Sequence, residues 1–324
     1  MQLRWTAAAC LCALTSGCAP PKGADRAKTV ESAATDPGAA SVAAEEPVVR
    51  PTGPLDRKQA EVYVLQLVNR DRATQGLPPV AWDDTAARAG QRHVEDMVQN
   101  GFTAHWGTDG SIPELRYTEV GGVHMVQENA GCFADGKARE LDPDPRFDPA
   151  AIEKVQSAFF DEVPPKDGHR RNILKSWHTH VGVGLAKAKG SDIVCQAQEF
   201  VDRYGTYDDL PKDAKVGKNV RVAGSLQEPA KFVGVGLARI ELPKAMTVDA
   251  LMATSTYPIP APYATYFPRG FKTPKPVDVR GRDFSIELPL SDQGKKGLYQ
   301  VSVWGEVPGS KDFVMLSLRT IRVQ

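Results

Sequence analysis

The stretch Phe159-Phe-Asp-Glu-Val-Pro-Pro-Lys-Asp-Gly-His169 joins the end of a helical pattern to a histidine through a turn rich in proline and glycine. Asp148-Pro149 begins that helix, and its apolar face runs to Glu162. A carboxylate at the end of an apolar face is half-buried and needs a partner or a metal ion. The turn is compact enough to fold the imidazole of His169 back toward the helix end. We therefore expect His169 to return toward the helix end that carries Glu162.

A second histidine and a second glutamate also lie beside the ends of predicted elements. His105 follows the Asn100-Gly101 cap that ends a predicted helix, and Glu128 precedes a predicted strand. Two imidazoles and two carboxylates are the raw material of a divalent-metal site or of an acid/base pair. Because the four residues are spread over about 65 positions, no local spacing tests their convergence.

The other four histidines have less specific settings. His93 lies on the apolar stripe of a predicted helix over residues 84–99, so we expect a core histidine. His178 and His180 alternate beside a predicted strand. A second metal site at these two residues is therefore one alternative, and two surface histidines are the other. His124 leaves open a supporting role beside the main site.

The charge balance excludes one class of partner. The 324 residues hold 40 Lys+Arg and 40 Asp+Glu, and the 41% hydrophobic composition is ordinary for a soluble globular protein. With zero net charge and no basic stripe, we expect no nucleic-acid partner. Arg170 and Arg171 could bind an anionic ligand, although two solvated side chains at the start of a helix are the simpler interpretation.

Residues 1–18 predict a secretory signal, since their apolar run is shorter than the roughly 20 residues that span a bilayer. Leu14-Thr-Ser-Gly-Cys18 resembles a bacterial lipobox with Thr15 at a usually aliphatic position, and the resemblance implies acylation of Cys18. We therefore expect an exported protein of the bacterial cell envelope whose lipid anchors it to the membrane. Secretion as a soluble protein, with cleavage near Ala19, is the alternative.

The rest of the chain divides into three parts. Residues 19–54 contain no aromatic residue and predict a disordered tether. Residues 55–204 place helices first and paired strands later, which indicates an α+β domain. Residues 205–324 indicate an all-β, immunoglobulin-like sandwich, because strand patterns alternate there with Pro/Gly-rich turns. The predicted strands of this last part are Val220–Gly224, Phe232–Leu242, Phe284–Leu290, Leu298–Val307 and Phe313–Val323.

Two further local patterns make specific predictions. Ser111-Ile-Pro-Glu114 has the spacing of a capping box and predicts a short helix to about Glu119. Cys132 and Cys195 remain as an even pair once residues 1–18 are set aside. In an exported chain this pair predicts a disulfide, with two buried free thiols as the alternative.

Several motifs together resemble the CAP superfamily (SCP-like, pathogenesis-related-1 and antigen 5 proteins). They appear in the family's order over about residues 55–202. The motifs are Leu67-Val-Asn-Arg-Asp-Arg-Ala-Thr-Gln-Gly-Leu-Pro-Pro-Val80, Trp82-Asp83-Asp84, Met97 to His105, Gln127-Glu-Asn-Ala130, Phe159-Phe-Asp-Glu162, Gly168-His-Arg-Arg-Asn-Ile-Leu174 and Val181-Gly-Val-Gly-Leu185.

The resemblance implies an α-β-α sandwich with a cleft formed by His105, Glu128, Glu162 and His169. The histidines would ligate a divalent cation, zinc or magnesium, without an organic cofactor, and the glutamates would line the same cavity. Phe159 stands where the family usually has tryptophan.

Three functions compete for this cleft. The first is a binding module that holds a small-molecule, lipid or polymer ligand of the envelope. The second is a metal-dependent hydrolase of peptides or esters with Glu128 or Glu162 as the general base. Against it, the chain lacks a His-Glu-x-x-His motif and offers two histidines where catalytic zinc usually has three protein ligands. The third is a structural protein in which the four residues form a buried polar network.

Overall fold

The computed structural model describes residues 48–254 and 256–324. The predicted signal, Cys18 and most of the predicted tether lie outside these residues. Up to residue 202 the described chain combines helices with strands, and after it strands dominate. The elements are α1 (Arg57–Ala73), β1 (Ala81–Trp82), α2 (Asp84–Asn100), α3 (Pro113–Glu119), β2 (Met125–Gly131), α4 (Pro149–Phe160), α5 (Gly168–Ile173), β3 (His180–Ala186), β4 (Cys195–Asp202), β5 (Gly205–Tyr207), β6 (Asp213–Ala214), β7 (Asn219–Leu226), β8 (Lys231–Ile240), α6 (Val248–Met252), β9 (Ala264–Tyr266), β10 (Asp278–Arg280), β11 (Asp283–Pro289), β12 (Gly297–Glu306) and β13 (Val314–Val323).

The first region is a sheet with helices on both faces. Its strand order is β1-β3-β4-β2, in which β4 runs antiparallel to both neighbours and β1 runs parallel to β3. Val181 and Val183 of β3 pack into a cluster with α1 and α4 on one face. Ala197 and Val201 of β4 pack with α2 on the other face. The α-β-α sandwich implied by the family resemblance is confirmed.

Helix α2 lies unusually close to the sheet because β3 carries two glycines. A Cβ atom on Gly182 would lie 2.0 Å from the backbone nitrogen of Ala87, and one on Gly184 would lie 2.3 Å from the carbonyl carbon of Gly90. The Val-Gly-Val-Gly pattern therefore lets the helix backbone contact the strand. This contact fixes the first half of α2 against β3.

The ends of α2 are formed by a capping aspartate and a glycine, and the glycine end is where the sequence predicts it. Asp83 caps α2 by accepting from two backbone amides, and Gly101 ends it in the left-handed conformation at φ 69°. The capping box predicted at Ser111 is wrong. Pro113 occupies the first position of α3, so Ile112 becomes the cap residue and makes no side-chain capping bond.

The C-terminal region is a β-sandwich, as predicted. One sheet has the order β10-β11-β7-β5 and the other β6-β13-β12-β8-β9. Val222 and Ile286 from the first sheet and Val301 and Leu316 from the second share one buried cluster. Tyr299 donates its hydroxyl to the carbonyl of Lys295 at 2.7 Å, which is the bond of a tyrosine corner.

The two regions belong to one compact unit and pack against each other. Strand β13 lies against α3 and β2 of the first region. Arg322 pairs with Glu119, and the hydroxyl of Ser317 donates to the carbonyl of Val123. The C-terminal strands thereby support the elements that line the cleft.

Residues 48–54, which the sequence assigned to the tether, run along the first region. Val48 packs against its core cluster and Arg50 forms an ion pair with Glu153. No helix within the described ranges 48–254 and 256–324 has the length and apolar character needed to cross a membrane. The predicted Cys132–Cys195 disulfide is present, with the two Cα atoms 4.3 Å apart.

Candidate ligand cleft

One cleft brings together all four residues named from the sequence. It has a volume of about 820 Å³, and His105, Glu128, Glu162 and His169 all line it. Its other walls come from β2, from the turn before α5 and from residues 256–259 of the C-terminal region. The cleft is therefore built from both regions of the chain.

The first pair joins an imidazole to a fully buried carboxylate. Nδ1 of His105 lies 2.8 Å from Oε1 of Glu128, and the Arg116 guanidinium donates to Oε2 at 2.6 Å. Burial raises the pKa of Glu128, but His93, Arg116 and His105 outweigh it and hold that pKa well below its usual range. Glu128 lies in the middle of β2, not before the strand as predicted, and its partners keep it ionised.

His93 is the core histidine that its helical position predicted, and it also supports the cleft. Its Nε2 lies 2.7 Å from the carbonyl of Ala104, which requires Nε2 to carry the proton. Burial lowers the pKa of His93 to about 4, so the ring is neutral near pH 7. Since Ala104 directly precedes His105, this bond fixes the backbone that presents the cleft histidine.

The second pair forms where the proline-rich turn was expected to place it. Nδ1 of His169 lies 2.7 Å from Oε1 of Glu162, and the backbone amide of His169 donates to Oε2 at 2.8 Å. Glu162 is not on the helical face, because α4 ends at Phe160. Phe159 packs against the His169 ring with centroids 4.6 Å apart, so the phenylalanine at the usual tryptophan position still supports the imidazole.

Sequence reasoning missed two carboxyl groups beside these pairs. Glu199 of β4 lies directly opposite Glu128 in register. Burial and the Glu128 charge raise its pKa far above the usual range, so Glu199 is a neutral acid. Glu114 of α3 lines the cleft, and burial raises its pKa to about 7. The only sequence signal for Glu199 is the alternation of polar and apolar residues over 193–200, and nothing local marks its pairing with Glu128.

The C-terminal region holds Glu114 in place. Tyr257 donates its hydroxyl to Oε2 of Glu114 at 2.8 Å. The Tyr257 ring also meets Trp106 edge to face, with centroids 5.3 Å apart. Because Trp106 follows His105, Tyr257 connects the wall of the cleft to the first imidazole.

A chain of buried amides lies under the cleft. Gln156 donates to Asp71 at 2.7 Å and accepts from Gln198 at 2.6 Å. Asn129 donates to Gln198 at 3.1 Å and accepts from Asn172 at 3.0 Å. Asn129 and Asn172 line the cleft, so this network fixes polar groups of its floor.

The remaining histidines do not join the site. His178 is buried, with Nδ1 2.6 Å from Asp202 and Nε2 3.1 Å from Asn172, so both ring nitrogens are occupied. A second metal patch at His178 and His180 is therefore not supported. His124 is packed edge to face against Tyr207 and does not line the cleft.

The donor set suits an ion held by imidazoles. Both Nδ1 atoms are bonded to carboxylates, which is the arrangement that orients metal-binding histidines, and each Nε2 is left without a hydrogen-bond partner among the described residues. In residues 48–254 and 256–324, no group of three or more His, Cys, Asp or Glu side chains is arranged to hold a metal ion. His105 and His169 are the cleft residues that could offer nitrogen ligands to a cation.

Comparison with known proteins identifies the first region. Residues 65–197 match the family model described as CAP, cysteine-rich secretory protein family. The uncharacterized protein YkwD of Bacillus subtilis is 28% identical over 165 residues, which cover 50% of this chain and 57% of that protein. The uncharacterized membrane protein YlbC of the same organism is 30% identical over 149 residues, which cover 45% and 35%. The chain thus spans about half the length, or less, of these curated relatives.

Two solved structures are also similar. One is an extracellular protein containing a SCP domain from Bacillus anthracis, with 22% identity, a TM-score of 0.35 and coverage of 47% of this chain and 45% of that chain. The other is an outer surface protein from Borrelia burgdorferi, with 15% identity, a TM-score of 0.36 and coverage of 47% and 98%.

Proposed function

We propose that this chain, which carries a CAP domain at residues 65–197, is an exported binding protein. Its cleft would hold a ligand between the CAP domain and the C-terminal β region. His105 and His169 would hold a divalent cation, zinc or magnesium, against that ligand. The observation that carries the proposal is the pairing of each cleft imidazole with a glutamate through Nδ1, which leaves both Nε2 atoms available.

Binding accounts for the cleft better than a structural network alone. The side chains of His105 and His169 are 25% and 30% exposed, whereas a network that only fixes the fold would be closed to solvent. The volume of about 820 Å³ lies in the range of small-molecule sites. Tyr257 and Ile259 add an apolar wall to the polar floor.

The two glutamates that the hydrolase alternative names as its base are both engaged by other groups. Glu128 is held by Arg116 and His105, and Glu162 accepts from both the ring and the backbone of His169. A carboxylate engaged in this way orients its histidine rather than a bound water. When bound, the cation would supply Lewis acidity toward a ligand oxygen.

Two features support export. The Cys132–Cys195 disulfide suits an oxidising compartment, and the residues up to Cys18 predict a lipid anchor. Expression of Cys18→Ala in a bacterial host tests the anchor. We expect the variant to move from the membrane fraction to the soluble fraction, and an unchanged membrane fraction contradicts lipidation.

Cobalt binding tests the cation site, because Co²⁺ replaces Zn²⁺ and has a visible spectrum. The full chain should bind one equivalent, and His105→Gln/His169→Gln should bind none, since glutamine preserves a donor to each glutamate but is a poor ligand. His180→Ala is the matched control because His180 lies outside the cleft. Equal binding by all three proteins, or none by the unaltered chain, contradicts the cation site.

A further inference from the structure

Lys175 is the partly buried cation of the cleft, and it has no anionic partner among the described residues. It lines the same cleft as His105 and His169 and lies just after α5. Its ammonium donates to the side-chain oxygens of Gln127 and, at 3.4 Å, of Asn172. Among the residues that the structure describes, no carboxylate oxygen lies within the 4.0 Å of an ion pair. An ammonium has three donors, so one N–H is left for a further acceptor.

The carboxylates around Lys175 are committed elsewhere. Glu128 is paired with Arg116, Glu162 with His169, and Glu114 accepts from Tyr257. Asp202 attracts Lys175 from beyond the distance of an ion pair, and its Oδ1 is bonded to His178. Partial removal from water lowers the pKa of Lys175, with Asp202 opposing that effect. A cation drawn out of water without a counter-charge is costly, and an anion supplied by a ligand would relieve that cost.

The surroundings of Lys175 are already ordered. The buried Arg72 guanidinium donates to the carbonyl of Lys175 at 2.9 Å and to that of Ile173 at 2.7 Å, which fixes the backbone. The Gln127 amide must turn its oxygen to the ammonium, because lysine only donates. Its NH₂ group is then free to face the same ligand. Such a preset cation loses little side-chain freedom when an anion arrives.

We propose that Lys175 and Gln127 form an oxyanion-binding subsite, so that the ligand of the cleft carries a carboxylate or phosphate group. The inference rests on the proposed binding function and names the chemistry of its ligand. Lys175 supplies the charge and Gln127 a second donor. The rest of the ligand lies against the apolar wall at Tyr257 and Ile259.

Three probe ligands with a similar phenylalkyl group test whether the subsite requires a negative charge. They are 4-phenylbutyrate, 3-phenylpropyl phosphate and the neutral 4-phenylbutyramide, each titrated into the full chain with cleft resonances followed by NMR. We expect at least one anion to bind about tenfold more tightly than the amide, as one charge-assisted hydrogen bond allows. Whichever anion binds more tightly identifies the group as carboxylate or phosphate.

Variants then assign the preference to one side chain. Lys175→Met should abolish the preference for the anion while the amide still binds within about twofold, which shows an intact cleft. Lys175→Arg should retain the preference, because it keeps the charge. Lys166→Met is the matched control, since Lys166 lies on the same cleft and its exposed ammonium has no hydrogen-bond partner among the described residues.

The outcomes separate this inference from the proposed function. An amide that binds as tightly as both anions overturns the subsite and leaves the binding function standing. A preference that survives in Lys175→Met also overturns it. If no probe shifts a cleft resonance, the subsite is rejected, and cobalt binding at His105 and His169 still decides the proposed function.

Discussion

Glu128 and Glu199 occupy one register position of adjacent strands, and this buried pair carries a single negative charge. Glu128 is ionised because Arg116 and His105 donate to it. Glu199 stays protonated because burial and the Glu128 charge raise its pKa. Neither oxygen of Glu199 has a hydrogen-bond partner among the described residues. The pair therefore divides its roles by environment, since Glu128 orients the histidine and Glu199 remains a neutral acid behind it.

The protonated Glu199 makes stability depend on pH. Its pKa is raised in the folded chain, so its contribution is full below about pH 4.3, the unfolded value. The contribution is lost as pH rises toward the folded pKa, at up to about 1.4 kcal/mol per pH unit. Glu199→Gln should remove this slope. Urea unfolding of both proteins from pH 5 to pH 9 measures it, and parallel pH profiles contradict the assignment.

Among the partners of Glu128, Arg116 should contribute most to the free energy of unfolding. Arg116→Met leaves Glu128 buried without its counter-charge, which typically destabilises by about 3–5 kcal/mol. Adding Glu128→Gln should recover part of that loss, because the uncompensated charge disappears. Urea unfolding at pH 7 measures both variants. Arg171→Met is the control, since this exposed arginine should change stability by less than about 0.5 kcal/mol. A cost no larger than that of the control means that Glu128 is not ionised.

Much of the fold could be predicted from local sequence patterns. Asp83 and Gly101 mark both ends of α2, and the pairing of Cys132 with Cys195 followed from parity and export. The CAP resemblance is confirmed for residues 65–197. It also selected the four cleft residues, although local spacing had no means to do so.

The site features that could not be predicted from the sequence depend on contacts between residues far apart in the chain. Glu199 meets Glu128 only through the register of β4 on β2, which no local pattern encodes. Tyr257 reaches the cleft from a segment of the C-terminal region whose sequence has no histidine or motif to mark it. At Ser111 the capping-box spacing was misleading, because Pro113 fixed the first turn one residue later.

The disulfide closes a long loop of the first region. Cys132 and Cys195 are 63 residues apart, for which the chain-entropy model gives about 4 kcal/mol of stabilisation. Cys132→Ala/Cys195→Ala should therefore unfold at a clearly lower urea concentration. Dithiothreitol should lower the stability of the unaltered chain by a similar amount and leave the double variant unchanged. A reductant effect on the double variant shows that another process is being measured.

Tyr257 should tune the acid on the opposite wall of the cleft. Burial raises the pKa of Glu114 to about 7, and the Tyr257 hydroxyl keeps it from rising further. Tyr257→Phe removes that donor, so the Glu114 pKa should move above 7, as carbonyl ¹³C NMR with Glu114→Gln for assignment would show. Because the raised pKa costs stability as pH increases, the variant should lose about 1 kcal/mol more at pH 8 than at pH 5. Tyr263→Phe, which removes a hydroxyl away from the cleft, should change neither quantity. A Glu114 pKa that stays near 7 in Tyr257→Phe means that the C-terminal region covers the cleft without controlling its charge.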